Sequence, residues 1–246
     1  MLRETNSFIR HNLSLVCLFV AITCSAIVFS EYNESSVGGS TQFFIALYIG
    51  YCVQNTILSR TGRVQINRGM VGFGSYIWKN FLILLVAMGI VIVPLAFGAA
   101  SFSRGALVLL CGGLFAIFYP LLLALVGTWP TAGIAGSTSG LANAFARGQR
   151  NFLPTFLRLF AGMILPPIVS FLLIAIAAAS SYETDAIFQG GKISLIALAL
   201  LIVSQSLQTF GICYASTVLA RKFQMSEGGP QGGTVSATSE ISEIFR

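Results

Sequence analysis

The chain has 246 residues, of which 55% are hydrophobic and only 9% are charged, and its mean hydropathy is +0.83. A soluble globular domain carries about 25% charged residues, so this chain has too few to cover a surface that faces water. The composition excludes a soluble globular domain and predicts that a lipid bilayer surrounds the protein. The formal net charge is +6, and the positions of the basic residues bear on orientation.

Six apolar stretches are free of Asp, Glu, Lys and Arg and are long enough to cross a bilayer, which takes about 20 residues of helix. They cover residues 13–30, 41–58, 81–100, 105–127, 159–179 and 193–220. We therefore predict an all-α, polytopic membrane protein whose six transmembrane helices form a single domain over residues 1–222. Residues 223–246 lose the apolar runs and are rich in Gly, Ser and Thr, which predicts a disordered cytoplasmic tail.

The first apolar stretch also has features of a secretory signal peptide, because Arg3, Arg10 and His11 precede it. A cleavable signal ends in small residues at defined positions. Cys24 instead follows a threonine, where a lipoprotein signal would place Gly, Ala or Ser. We therefore interpret this stretch as a retained transmembrane helix.

The basic residues predict how the six helices face. With both termini in the cytoplasm, twelve of the 14 Lys and Arg residues fall on the inner side, and only Arg104 and Lys192 fall outside. This bias is what the positive-inside rule requires, and it explains the net charge without a nucleic-acid partner. We expect a multi-pass protein of a bacterial inner membrane. Its expected partners are the lipid bilayer and either a membrane protein or a second copy of itself.

A short phrase precedes three of the apolar stretches at a nearly constant spacing. "SFIRHN" at 7–12 and "SYIWKN" at 75–80 match closely, and "RNF" at 150–152 keeps the basic residue, the asparagine and an aromatic. The asparagines are 68 and 71 residues apart. This spacing predicts three tandem helical hairpins, each preceded by an amphipathic cytoplasmic elbow.

Aromatic and basic side chains suit the headgroup region of a bilayer. We expect membrane-interface anchors at His11, Asn12, Trp78, Lys79, Asn80, Arg150 and Asn151. The simpler alternative is that inner-membrane helices carry such anchors without any repeat.

The chain lacks the residues that most membrane enzymes use. No predicted span contains an ionisable Asp, Glu, Lys or Arg, although such residues mark most intramembrane catalytic and proton-coupling sites. His11 is the single histidine, and the five cysteines lie in apolar runs without a CxxC pair. We therefore expect neither an enzyme, nor a metal site, nor a cofactor.

Polar, uncharged residues occur at the end of the second predicted span and in the middle of the sixth. We expect an intramembrane polar cluster at Gln54, Asn55, Ser204, Gln205, Gln208 and Thr209. Gln205 and Gln208 are three residues apart and therefore share a helix face. These residues either line a small polar cavity or form hydrogen bonds between helices.

Small residues follow the fourth predicted span. Gly133, Gly136 and Gly140 are spaced for close approach of backbones, and the last two form a GxxxG pattern if the stretch is helical. We expect these glycines at a helix contact.

The layout resembles bacterial six-helix membrane families of the YciC-like and glycerophosphodiester-phosphodiesterase membrane-domain type. Those families alternate amphipathic elbows with hairpins and end in a span followed by basic residues, as "YASTVLARKF" does here. The resemblance covers residues 7–222 and carries no functional residue over. We expect a non-catalytic membrane protein that assembles, anchors or regulates a complex, and the alternative is a permease or channel component for a neutral or amphiphilic solute.

Overall fold

The computed structural model describes residues 1–33, 37–64, 70–98, 103–137, 139–180, 187–189 and 192–227. Within these ranges the chain is almost entirely helical, and two strands of two residues each are the exception. The elements in chain order are α1 (Leu2–His11), α2 (Leu13–Tyr32), α3 (Val37–Leu58), α4 (Phe73–Gly98), α5 (Arg104–Val126), α6 (Thr128–Ile134), α7 (Leu141–Arg150), α8 (Phe152–Ala179), β1 (Phe188–Gln189), β2 (Lys192–Ile193) and α9 (Leu195–Glu227).

Within the described ranges five helices are long and apolar enough to cross a membrane, and these are α2, α4, α5, α8 and α9. The remaining predicted span, the second in chain order, lies in α3, which has 22 residues and therefore a length of about 33 Å at 1.5 Å per residue. α3 is more polar than the other five because it carries Gln42, Gln54 and Asn55. The all-α class and the multi-pass character are confirmed, while the count of six spans stays a prediction.

α9 is the central helix, and most of the other helices pack against it. α1, α2, α3, α6 and α8 all contact it, and α4 packs against α5 beside this group. Cys213, Thr217 and Ala220 on α9 have no exposed surface. These small side chains let neighbouring helices approach on several sides at once, because each takes little volume between two backbones.

Two glycines make the contact between α8 and α9 close. A Cβ atom at Gly211 of α9 would lie 2.6 Å from the carbonyl oxygen of Gly162 on α8, and one at Gly162 would collide with the ring of Tyr214. Neither position has room for a side chain. The two helices therefore pack backbone to backbone, as small-residue contacts between membrane helices do.

Two of the three predicted elbows share one geometry. α1 and α7 are ten-residue amphipathic helices, each followed by a single asparagine and then by a long apolar helix. The backbone angles are similar at the two junctions, with φ −123° and ψ 30° at Asn12 and φ −140° and ψ 49° at Asn151. The three-hairpin repeat itself stays a prediction.

The second elbow differs from the other two, since α4 begins at Phe73 rather than at residue 81. Trp78, Lys79 and Asn80 therefore lie inside α4. The helix continues through these polar residues because they have partners: Lys79 Nζ donates to the Trp129 carbonyl at 3.3 Å, and Asn80 Nδ2 donates to the Tyr76 carbonyl at 2.9 Å. Residues 65–69, which belong to this predicted elbow, lie outside the described residues.

α8 also begins earlier than predicted, at Phe152 instead of residue 159. Pro154 lies in the first turn of α8, where a missing N–H costs no helical hydrogen bond. Arg158 is exposed, so its charge does not interrupt the buried face of the helix. The rule that excluded charged residues from a span therefore shortened this prediction.

Asn12 fastens the first elbow to the loop after α3. Its Nδ2 donates to the carbonyls of Phe8, at 2.9 Å, and Gly62, at 3.3 Å. Its Oδ1 accepts from the backbone N–H of Val64 at 2.9 Å. Only 7% of Asn12 is exposed, so its three hydrogen bonds join α1 to the loop after α3 without water.

The last helix passes the predicted end of the membrane domain and continues to Glu227. Lys222 stabilises this last part of α9, because its Nζ donates to the carbonyls of Ala124 and Gly148, each at 3.0 Å. Both carbonyls lie in the last turn of a helix, α5 or α7, where the negative end of the helix dipole favours a cation. Residues 228–246, the rest of the predicted tail, lie outside the described residues.

The neighbours of Lys222 hold the same helix end in place. Arg221 Nε donates to Glu4 Oε2 on α1 at 3.1 Å. The Arg147 guanidinium lies 5.2 Å from the centre of the Phe223 ring. We call this part of the molecule the basic end, defined by Glu4, Asn12, Ala124, Gly148 and Lys222.

The opposite end of the bundle is joined by one carboxylate. Glu31, near the end of α2, accepts from the backbone N–H groups of Ile187, at 2.6 Å, and Phe188, at 3.2 Å. Phe188 and Gln189 of β1 pair antiparallel with Ile193 and Lys192 of β2. Glu31 thereby ties this small hairpin to α2, and we call this part the Glu31 end.

The predicted GxxxG helix contact differs from what the structure contains. Gly136 follows α6 with φ at 68°, and Gly140 precedes α7 in an extended conformation, so the two glycines belong to a turn between helices and share no helix face. Gly133, within α6, does lie at a helix contact, because a Cβ there would be 2.8 Å from Ser75 Oγ on α4. A left-handed residue is favourable for glycine, which explains Gly136.

We expect Gly148→Ala to destabilise the protein. A Cβ at Gly148 would collide with the carbonyl of Leu125 on α5, and such overpacking costs about 1–3 kcal/mol. Gly112→Ala is the matched control, because nothing lies within 4 Å of a Cβ at Gly112. The free energy of unfolding, measured by titrating SDS into detergent-solubilised protein, should fall for the first variant and not for the second. Equal values for the two variants would contradict this packing.

Candidate functional site

A cavity of about 460 Å³ lies between α3, α4, α5, α8 and α9. We call it the central cavity. Most of its wall is apolar, with aromatic, aliphatic and proline side chains from all five helices. The apolar lining residues include Phe43, Leu47, Leu84, Phe115, Leu123, Met163, Pro166 and Ile212. Ligand pockets in proteins commonly have volumes of about 300–1,000 Å³ and such a lining.

A few polar groups converge on the part of the central cavity nearest the basic end. Gln54, Tyr76, Asn80 and Ser216 line it there. A Cβ at Gly50 would lie 2.6 Å from the Tyr76 hydroxyl and 3.2 Å from Ser216 Oγ. Gly50 therefore gives these two hydroxyl groups the space to approach α3 from α4 and α9.

Gln54 is fixed by the short buried helix α6. Thr131 Oγ1 on α6 donates to Gln54 Oε1 at 2.8 Å, and Thr131 has no exposed surface. Gln54 is 2% exposed, so its amide carbonyl has exchanged water for this hydroxyl. The remaining amide N–H groups of Gln54 are available to the cavity that it lines.

A second cavity of about 310 Å³ lies between α2, α3 and α9. We call it the polar cavity. Its polar lining residues are Thr23, Gln42, Gln205, Gln208 and Thr209. The two cavities adjoin each other, because the same four residues, Phe43, Ala46, Gln208 and Ile212, line both.

The two cavities together follow α3 for most of its length. Their lining on this helix runs from Gly39, near the Glu31 end, to Gln54, near the basic end. At 1.5 Å per residue this stretch is about 22 Å long, compared with about 30 Å for the hydrocarbon core of a bilayer. The polar residues lie at both ends of this path and at Gln208 between them.

No charged side chain is present among the described residues that line either cavity. An unpaired charge is expensive to move into such surroundings, since nothing replaces its hydration. The described residues also contain no group of three His, Cys, Asp or Glu side chains that could hold a metal ion. The arrangement suits an uncharged molecule that needs both apolar contact and hydrogen bonds.

The residues of the predicted polar cluster separate into two groups. Gln54 lines the central cavity, Gln205 and Thr209 line the polar cavity, and Gln208 lines both. Asn55 and Ser204 are half-buried and are not part of either lining. The cluster therefore extends along a path instead of surrounding one point.

The predicted interface anchors also differ in position. Asn80 is buried and lines the central cavity, whereas Trp78 is 59% exposed. Lys79 Nζ lies 5.4 Å from the centre of the Trp129 ring. His11, Arg150 and Asn151 are exposed beside the helix junctions of the elbows.

Five residues of the site are not predicted from the sequence. Tyr76, Tyr119 and Ser216 line the central cavity, Gln42 lines the polar cavity, and Thr131 binds Gln54. Gln42 was the easiest to find, because it is a glutamine within an apolar run and lies twelve residues before Gln54 on the same helix. Tyr76 and Asn80 are four residues apart, and this spacing places them on one helix face. A span that begins at residue 81 places both residues in a headgroup anchor, whereas the observed start of α4 at Phe73 places them inside the helix.

No protein-family model, curated protein or solved structure matched the chain. The resemblance to the YciC-like and glycerophosphodiester-phosphodiesterase membrane-domain families therefore stays a prediction. The two cavities and the residues that line them are therefore the features that bear on function.

We expect Gln54 and Thr131 to be energetically coupled. Gln54→Leu and Thr131→Val each remove one partner of the 2.8 Å hydrogen bond. Interhelical hydrogen bonds in membranes contribute about 0.6 kcal/mol on average and up to about 1.7 kcal/mol. A double-mutant cycle on the free energy of unfolding should give a coupling in this range.

Ser206→Ala is the control for this cycle. Ser206 is exposed and its hydroxyl donates to Ile202 of its own helix, so its combination with Gln54→Leu should be additive. An additive result for Gln54→Leu with Thr131→Val would mean that the hydrogen bond does not hold α6 against α3.

Proposed function

We propose that this chain is an integral membrane protein that binds a neutral amphiphilic molecule in the central cavity and acts as a permease or carrier component for it. The observation that supports the proposal is the pair of adjoining cavities along about 22 Å of α3, with no charged side chain among their described lining residues. A static bundle of helices is normally packed to high density, with few voids larger than a water molecule. A cavity of about 460 Å³ that contains convergent polar groups is typical of a binding site.

The proposed orientation places the basic end in the cytoplasm. Arg147, Arg221 and Lys222 lie there with α1, and Glu31 lies at the other end. The positive-inside rule then gives cytoplasmic N- and C-termini. A bacterial inner membrane is the proposed location.

Helix α8 offers a means of movement. Pro166 and Pro167 lie inside α8 and line the central cavity, and a proline within a helix removes a backbone hydrogen bond and allows a kink. The close contact of Gly162 with α9 lies one turn before them. A change of bend at these prolines would alter the cavity without breaking the contact at Gly162.

We expect Leu84→Trp to weaken binding of octylglycerol, an uncharged single-chain amphiphile, by about tenfold, or about 1.4 kcal/mol. Leu84 lines the central cavity, and the larger ring would occupy space that the ligand needs. Leu85→Trp is the matched control, because Leu85 is the next residue and is 50% exposed. Equilibrium binding of radiolabelled octylglycerol to protein in nanodiscs, with empty nanodiscs subtracted, measures both. Absence of saturable binding to the unmodified protein would contradict the proposal.

A second function, assembly or regulation of a membrane complex, is favoured by the outer face of α5. Gly112 and Gly113 are exposed there, and nothing lies within 4 Å of a Cβ at either position. Only 12% of the apolar window of α5 is buried. Exposed glycines on a membrane helix allow another helix to approach closely.

We expect Gly112→Leu to abolish recovery of an equimolar membrane partner if this second function is correct. The leucine would fill the space through which two backbones approach. Gly89→Leu on α4 is the control, because Gly89 is also exposed with nothing within 4 Å of its Cβ. Affinity purification from native membranes in mild detergent, with the tag after Arg246, measures the recovery. Recovery of the chain alone, or equal partner recovery with both variants, would contradict the second function.

A further inference from the structure

The polar cavity contains a buried amide that has no partner among the described residues. Gln205 is 8% exposed and lines the polar cavity. Among the residues that the structure describes, its side chain forms no hydrogen bond. An amide buried without partners costs about 1–3 kcal/mol, and buried polar groups in proteins almost always have a partner. The Gln205 amide therefore indicates that something else occupies the cavity.

The other polar residues point to the same occupant. Gln205, Gln208 and Thr209 are three and four residues apart on α9, so they share one helix face. Gln42 on α3 and Thr23 on α2 line the same cavity from the facing helices. The hydroxyl of Thr23 already donates to the carbonyl of Phe19 at 2.8 Å. The three glutamine amides carry the donors and acceptors that remain.

The chemistry of these amides restricts the headgroup that they accept. Each amide offers both N–H donors and a carbonyl acceptor, so the best partner also has both, as hydroxyl or amide groups do. A carboxylate, phosphate or ammonium group would enter without a charged partner among the described lining residues, and it would lose hydration that neutral amides replace poorly.

The residues that the two cavities share indicate where the rest of the ligand would lie. Phe43, Ala46, Gln208 and Ile212 line both cavities. A molecule with its headgroup at Gln205 and Gln208 would extend past these residues into the apolar central cavity. An octyl chain would contact the apolar wall of the central cavity there, and these van der Waals contacts would replace its contacts with lipid.

We propose that Gln205, Gln208 and Gln42 form a headgroup site that selects an uncharged polyol or amide headgroup, while the central cavity holds the attached apolar chain. This inference rests on the proposed function, because it assigns the two parts of one ligand to the two cavities. The side chains act by hydrogen bonding alone, and no covalent bond is made or broken.

The experiment measures the binding of three amphiphiles and one hydrocarbon to protein in nanodiscs. Octylglycerol, octanoate, octylammonium and octane have similar saturated chains, of about seven or eight carbons, and differ in the headgroup. Octylglycerol should bind most tightly to the unmodified protein. The double variant Gln205→Leu/Gln208→Leu should weaken the binding of octylglycerol by about tenfold, which corresponds to the loss of an amide hydrogen bond. The affinity for octane should stay unchanged. Ser206→Leu is the control on α9, because Ser206 is exposed between the two glutamines.

A gain of binding keeps the test informative if the leucine variant folds poorly. Gln205→Glu places a carboxylate in the polar cavity. Binding of octylammonium should become about tenfold stronger and binding of octanoate weaker, because charges interact strongly in surroundings of low dielectric constant. An unfolded protein cannot produce this result.

The outcomes separate this inference from the proposed function. If octylglycerol and octane bind alike, and neither responds to the glutamine variants, the polar cavity holds water only. The headgroup site is then wrong, while the central cavity remains a binding site. If neither compound binds to the unmodified protein, the proposed function fails and the headgroup site fails with it.

Discussion

Close packing around α9 is the constraint on which the rest of the structure depends. At Gly211 the backbone of α9 approaches α8 so closely that a side chain has no room, and small buried residues continue this surface through Cys213, Thr217 and Ala220. Association of helices within a bilayer depends on such close contact, because lipid supplies no hydrophobic force between them. Lys222 then fixes the basic end by donating to the carbonyl-bearing ends of α5 and α7. Helices that are far apart in the chain are thereby held around α9.

Hydropathy alone predicted the helical class and most of the helix positions. The apolar runs gave α2 and α5 nearly to the residue, because lipid must surround a long uncharged helix. Helix ends were less accurate where a polar side chain has a tertiary partner. Lys79 and Asn80 continue α4, and Lys222 continues α9, through contacts with Trp129, Tyr76 and two helix ends. Trp129 and the two helix ends are distant in the chain from the lysines that they bind, so no local pattern could reveal these contacts. Tyr76 lies only four residues before Asn80, and this pair shows in the sequence as a shared helix face.

The candidate site was only partly accessible to sequence reasoning for the same reason. Gln205 and Gln208 stand out as polar residues within an apolar run, and their spacing gives a shared face. A pattern of this kind cannot tell whether the amides bond to another helix or face a space. The Gln54 amide bonds to another helix through Thr131, whereas the Gln205 amide faces the polar cavity. The difference arises from the position of α6, a seven-residue helix whose location depends on tight contacts at Gly133.

The absence of charge along the described lining has a consequence for energetics under the proposed function. Moving one elementary charge across a membrane potential changes the free energy by about 2.3 kcal/mol per 100 mV. A neutral solute that passes uncharged amides and hydroxyls carries no such term. The membrane potential would then not act on the solute itself. Selectivity would arise from hydrogen bonds at Gln205 and Gln208 and from the apolar volume beyond them, since these are the properties in which neutral amphiphiles differ.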